Sequence, residues 1–145
     1  MTYRMATPTD KAALVALENR LFGPGDDRLS AKAVTYHLAR QDRIFGCWDG
    51  DVLAGYGLIL WRKEWARLYS LGVHPDFRGR GLGEGLLAYG IALCRARGVR
   101  YLQLEVRPQN SSALKLYLGH GFRPIGQLPS FYTDGGDALL LRLRF

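Results

Sequence analysis

The segment Arg78-Gly79-Arg80-Gly81-Leu82-Gly83-Glu84-Gly85 sets four glycines at alternate positions, between an apolar run ending at Val73 and a stretch with helical spacing. Glycine admits positive φ and lets backbone approach a ligand closely. A helix that starts here turns its first, unbonded N–H groups outward. Its dipole then favours an anion, and Arg78 and Arg80 add positive charge at the same place. The expectation is a phosphate or pyrophosphate cradle at a strand-to-helix turn. A dinucleotide-binding turn would put its first glycine directly after the strand, whereas residues 74–78 intervene. A nucleoside-triphosphate loop would end in Gly-Lys-Ser or Gly-Lys-Thr, and this one does not. A glycine-rich helix start packed tightly on a sheet stays open at this point.

The flanking pattern switches between strand and helix periods. Tyr3–Ala6 reads as a short strand, followed by a helix start at Thr7-Pro8-Thr9-Asp10 with Leu14, Leu17 and Leu21 on one face. Gly23-Pro24-Gly25-Asp26-Asp27 breaks that helix, and Ser30 can cap a second one carrying Val34 and Leu38. Apolar runs at 44–48 and 52–61 flank Asp49-Gly50-Asp51, a hairpin signal, and a third run covers 66–73. Three strands with short turns predict an antiparallel meander. Beyond the glycines, Leu82, Leu86, Ile91 and Cys94 keep helical spacing up to Gly98. Tyr101–Val106 then alternates, with Leu102, Leu104 and Val106 on one face and Gln103 and Glu105 on the other. Asn110 can cap a helix over 111–119, and strands near 122–125 and 138–145 close the chain. The order is mixed α/β.

At 145 residues, 48% hydrophobic and 23% charged, the chain suits one globular domain over 1–145. No apolar run approaches the ~20 residues of a membrane span, and the N-terminus lacks a signal-peptide layout. Two distant cysteines, Cys47 and Cys94, make neither a zinc site nor a disulfide framework. A reducing, cytoplasmic compartment is the default. The formal charge of +7 rests on 20 basic residues against 13 acidic, most of the basic ones Arg and scattered. With no basic run or recognition motif, nucleic acid is not the expected partner.

Val73-x-Pro75-x-x-Arg78-Gly79-x-Gly81-Leu82-Gly83 resembles the acetyl-CoA pyrophosphate motif of the GNAT superfamily of N-acetyltransferases. Leu104-Glu105-Val106-Arg107, Asn110, Ala113, Leu116-Tyr117 and Gly121-Phe122 are similar in type and spacing to its RimI-like protein N-terminal acetyltransferases. Phe131-Tyr132 stands where that branch has Tyr-Tyr. The resemblance covers residues 66–145; before that, only the element order, Glu18 and Phe22 match. It implies a centrally splayed mixed sheet flanked by helices, with acetyl-CoA as co-substrate and no metal. Leu71, Val73, Arg78, Gly79, Arg80, Gly81, Leu82, Gly83, Glu84, Asn110 and Tyr117 would contact the coenzyme, and Phe131 and Tyr132 the acceptor.

Acetyl transfer from a thioester to an amine needs a neutral amine, a stabilised oxyanion and a protonated leaving thiolate. An α-amino group titrates near 8 and a lysine near 10.4, so both arrive largely protonated. The resemblance makes Glu105 the base, through burial or a water relay, since an ordinary Glu is weak in that role. Tyr117 would protonate the thiolate, and the Val73 N–H would serve the oxyanion. Cys94 faces the apolar stripe, so direct attack in a ternary complex is expected over an acetyl-cysteine route. The implied acceptor is a protein N-terminus, a ribosomal protein being the type substrate of the branch. Leu128-Pro129-Ser130 and the missing hydroxyl at Phe131 depart from the branch, and 23–28 lacks its Pro-Trp-Ser. A small amine (aminoglycoside, polyamine or amino acid) is therefore the alternative acceptor, and a non-catalytic acyl-CoA-binding module a third reading.

Overall fold

The computed structural model describes residues 1–22 and 28–145. The helix-breaking segment Gly23–Asp27 expected from the sequence lies outside them. The elements run β1 (Thr2–Met5), α1 (Lys11–Leu21), α2 (Ala31–Leu38), β2 (Ile44–Asp49), β3 (Val52–Trp61), β4 (Ala66–Val73), α3 (Leu82–Arg97), β5 (Tyr101–Val106), α4 (Ser111–Gly119), β6 (Arg123–Leu128) and β7 (Ala138–Arg144). The seven strands form one sheet in the order β1-β2-β3-β4-β5-β7-β6.

The expected meander is present. Asp49 pairs with Val52 across a two-residue turn in which Gly50 sits at φ +59, the conformation such a hairpin needs. β2, β3 and β4 are antiparallel neighbours, and β1 joins beside β2. The caps form as expected: Ser30 Oγ accepts from the Ala33 amide, and the Asn110 side chain from the Ala113 amide. Gly98 ends α3 at φ +76. β6 runs on to Leu128, further than the 122–125 read from the sequence, because β7 pairs with it as far as Ala138. β7 lies between β5 and β6, an order that local patterning does not specify.

Two cores sandwich the sheet. On one face α3 and α4 bury Leu86, Leu87, Cys94 and Tyr117 against Phe45, Ile59, Leu102, Leu104 and Leu141. On the other, α1 and α2 press Leu14, Leu17 and Val34 on Ile44, Tyr56 and Leu58. That second layer reaches only the β2–β3–β4 half, so the β5–β7–β6 half of this face carries no helix among the described residues. Burial pushes the Cys47 thiol up to about 11 and Cys94 up to about 12, so both stay as inert thiols at neutral pH.

Asp10 ties β1 to the start of α1. It accepts from both terminal nitrogens of Arg4, at 2.9 and 3.1 Å, and from the Thr7 amide at 2.8 Å. The Arg4 hydrogen bonds hold its carboxyl below the ordinary 3.8. Because the folded value is the lower one, this contribution is present above pH ~4 and is lost as the pH falls through the folded value. Replacing Asp10 by Ala should cost about 1–2 kcal/mol in urea denaturation at pH 7. The difference from the parent should shrink below pH 4.

Candidate active site

The site is built on a parting of strands. β4 and β5 run parallel, yet they pair only at Ala66↔Leu102 and Arg67↔Gln103 before they separate. β4 also carries a bulge. Leu58 pairs with Ser70 and Ile59 with Leu68, which leaves Tyr69 without a partner on β3. Bulges bend a strand and increase its twist, so this one turns the end of β4 away from β5. The His74 amide donates to the Ala54 carbonyl at 2.8 Å. Strand hydrogen bonding alternates in side, so the amides of Leu71 and Val73 face the opposite edge, into the gap.

The glycine turn follows immediately. A 3-10 turn at Pro75–Phe77, whose Asp76 amide donates to His74 Nδ1, leads into Gly79 at φ +78 and Gly81 at φ +75. A Cβ built on either glycine meets nothing within 4 Å, so their requirement for glycine is conformational, and the concavity they border is open. The Gly85 amide makes the first bond of α3, to the Gly81 carbonyl. The amides of Leu82, Gly83 and Glu84 therefore point out of the helix start. The side chains of Arg78, Arg80 and Glu84 are exposed beside them, while Leu82 turns inward to the core. This geometry suits a pyrophosphate.

On the α1/α2 face, a cleft of ≈ 610 Å³ opens beside the parting. Glu105, Arg67, Tyr69 and Ser70 form its floor; Glu18, Phe22, Arg28 and Leu29 form one wall; Arg107, Phe131, Tyr132 and Thr133 form the other. Phe131 and Tyr132 thus reach the cleft, their rings edge to face at 5.0 Å, and Arg107 lies 3.9 Å over Tyr132. Glu105 is only 10% exposed at its side chain. Arg67 Nε donates to its Oε1 at 2.8 Å, and Arg67 Nη2 donates to the same oxygen. Arg67 therefore fixes the carboxylate's direction through one oxygen and leaves the other without a hydrogen-bond partner among the described residues.

Tyr117 sits on the opposite face. Its ring is in the α3/α4 core, edge to face with Phe122 at 5.7 Å, and it is not among the residues lining the cleft. Burial pushes its hydroxyl up to about 12, so it holds its proton throughout the physiological range. Asn110 is exposed at the head of α4. The structure thus divides the expected residues between two sides of the parting. Glu105, Phe131 and Tyr132 are on the cleft side; the glycine turn, Asn110 and Tyr117 belong to the α3/α4 side.

The arrangement is matched in known proteins. Residues 12–122 match the model of the acetyltransferase (GNAT) family. The chain belongs to that family. It is 35% identical over 149 residues to the N-alpha-acetyltransferase RimI of Mycobacterium tuberculosis, covering 98% of this chain and 91% of that protein. A putative [ribosomal protein bS18]-alanine N-acetyltransferase of Bacillus subtilis is 39% identical over 94 residues, 64% of this chain. The matched segments span 62% of that relative, and 38% of an uncharacterized Mycobacterium leprae protein that is 34% identical. Among solved structures, the Escherichia coli ribosomal-protein-S18-alanine N-acetyltransferase superposes with a TM-score of 0.84 at 30% identity, over 99% of this chain and 92% of that one. The expected GNAT fold, mixed and centrally splayed, is the one observed.

Within this GNAT site, Glu18 is the residue whose environment the sequence does not reveal. It is 2% exposed; its Oε2 accepts from the Leu29 amide at 2.9 Å, and its Oε1 has no hydrogen-bond partner among the described residues. Leu14 and Leu17 mark the buried face of α1, and Glu18 follows directly on that face, which is the one signal for its burial. Burial pushes its carboxyl above the ordinary 4.5. The folded state then disfavours the charged form, so the parent loses stability as the pH rises through 4.5 towards the folded value. Glu18→Gln keeps an acceptor for Leu29 and removes the charge. Its melting temperature should exceed the parent's at pH 8, and the gap should close on titration below pH 4.

Proposed function

We propose that this chain transfers the acetyl group of acetyl-CoA to the α-amino group of a protein N-terminus, by direct attack in a ternary complex. The observation that carries the reading is the position of Glu105. An oriented, largely buried carboxylate lies on the floor of an open cleft, beside the gap that the Leu71 and Val73 amides face. The open glycine turn and its outward amides fit the pyrophosphate of the coenzyme, which supplies the acetyl thioester. The residues for that end are Arg78, Gly79, Arg80, Gly81, Leu82, Gly83 and Glu84, with Asn110 at the adjoining helix start.

The chain's own groups then divide the reaction. The acceptor enters as an ammonium, and Glu105, directly or through one water, takes its proton. The nitrogen lone pair attacks the thioester carbonyl carbon. The Val73 N–H, aimed into the gap, donates to the carbonyl oxygen as it becomes negative. The carbon–sulfur bond breaks, and the Tyr117 hydroxyl, protonated because burial holds its pKa high, gives its proton to the departing sulfur. The nitrogen sheds its second proton to water as the amide forms, and the tyrosinate regains a proton from water. Phe131 and Tyr132 flank the first acceptor residues. Two relatives are named as ribosomal protein bS18-alanine N-acetyltransferases, one of them as putative, which makes an Ala-type N-terminus the first acceptor to test. The alternative acceptor is a small amine; with Arg67 paired to Glu105 and Arg107 to Asp134, the charge of the cleft does not separate the two.

Two matched peptides decide the acceptor. One has a free Ala N-terminus and no lysine; the other is blocked and carries one lysine. Thiol release with the first alone is the expected result. Turnover on neither, with acetyl-CoA bound, would move the small-amine reading ahead. Glu105→Gln should lower kcat by about 10²-fold or more while acetyl-CoA affinity changes little. Tyr117→Phe should lower kcat to a similar extent, and the parent's profile should show no loss from this tyrosine below about pH 10. Unchanged turnover in Glu105→Gln would remove that residue from the mechanism.

A further inference from the structure

On the helix-free half of the acceptor face, one transverse row of side chains crosses four strands. Arg67 on β4 pairs in register with Gln103 on β5, Gln103 with Arg142 on β7, and Arg142 with Arg123 on β6. The next row holds Tyr101 opposite Arg144. Paired residues on neighbouring strands point to the same face, so all of these share the face of Glu105 and the cleft. Arg142 is held by two hydrogen bonds to Gln103 Oε1, at 3.1 and 2.8 Å, and lies 4.0 Å over the Tyr101 ring. Trp65 stacks on the same Tyr101 ring at 5.6 Å. Arg123 and Arg144 are exposed.

The charge in these two rows is one-signed. Among the described residues the rows hold no carboxylate; Glu105, two residues along β5 from Gln103, is already engaged by Arg67. Like charges directly opposite each other on paired strands are unfavourable, and Arg142 faces Arg123 with no acid between them. An anion laid across the row relieves that repulsion. The guanidinium of Arg142 is pre-oriented by Gln103 and Tyr101, so less freedom is lost when it binds one. The track leads away from the cleft along β5, from Glu105 to Tyr101 and beyond, for about 15 Å, the reach of four to five extended residues.

We propose that this face docks the acceptor polypeptide downstream of its acetylated residue, and that the docked segment is acidic, with Asp or Glu about four to eight residues from the N-terminus. The proposal rests on the N-terminal acetyltransferase reading and names the substrate class for it. A polypeptide is the occupant because the row is continuous with the cleft into which the amine must enter. The same arginines holding an RNA strand is the competing outcome.

The experiment compares two lysine-free peptides with the same Ala-initiated first three residues, followed by either Glu/Asp or Gln/Asn at the next five. The acidic peptide should show a KM lower by about three- to tenfold at similar kcat, as expected for a few partly exposed ion pairs. That advantage should fade as salt rises from about 0.05 to 0.5 M, where screening shortens to a few Å. The double variant Arg142→Gln/Arg144→Gln should lose the preference and keep the parent's turnover of the neutral peptide. Anisotropy of a fluorescent acidic peptide reads docking separately from transfer. If neither peptide is acetylated but the acidic one binds the parent and not the double variant, the reaction assigned here fails and the docking face stands. Equal KM values and equal binding by parent and double variant overturn the proposal. So does tighter, arginine-dependent binding of a single-stranded RNA than of the acidic peptide.

Discussion

Everything functional in this molecule depends on two parallel strands that stop pairing. β4 and β5 hold together at Ala66↔Leu102 and Arg67↔Gln103 and then separate. A parallel ladder that ends inside a sheet leaves backbone donors without strand partners, and buried donors without partners are costly. Here the cost is avoided because the edge borders an open gap, where the Leu71 and Val73 amides are available to a ligand. The Tyr69 bulge supplies the bend, and the glycine turn that follows places a helix start at the end of the same gap. Strand parting, the gap-facing Leu71 and Val73 amides and the glycine-lined helix start lie together along one stretch of chain.

The parting also sorts the chemistry. The α3/α4 side is a closed apolar core, which keeps Tyr117 protonated and makes Cys94 a packing residue. The α1/α2 side is open and charged. In the proposed reaction, the proton-accepting carboxylate is on the open side, where amine and water would enter. The proposed proton-donating phenol lies against the core, where its proton is retained until a thiolate appears. Arg67 links the two requirements, since it sits in the last paired row and fixes Glu105. Its position gives the carboxylate a direction that the strand alone would not.

Much of this was legible in the sequence, because the signals are local. Ser30 and Asn110 cap helices through amides three residues away. Asp49-Gly50-Asp51 makes its hairpin within two residues. The alternation of Tyr101–Val106 puts Glu105 off the core face. What was not legible involves partners far apart in the chain. Arg67 and Glu105 are separated by 38 residues, and Gln103 and Arg142 by 39. The burial of Glu18 depends on Leu29 and the cleft wall, and a polar residue on a helix gives little warning of it. The insertion of β7 between β5 and β6 was also silent, since strand order depends on pairing between segments far apart in the chain.

By itself, then, the sequence determined the elements, their caps and turns, and the glycine-lined helix start whose backbone suits a pyrophosphate. These follow from φ/ψ preferences and hydrogen bonds that act over a few residues. The tertiary structure alone decided which side chains share a face of the sheet. Strand order set the Arg67–Gln103–Arg142–Arg123 row, the exposure of Arg123 and the confinement of Glu105 beside the gap. A residue's face and neighbours are properties of the pairing register, and the register is fixed only when every strand has found its place.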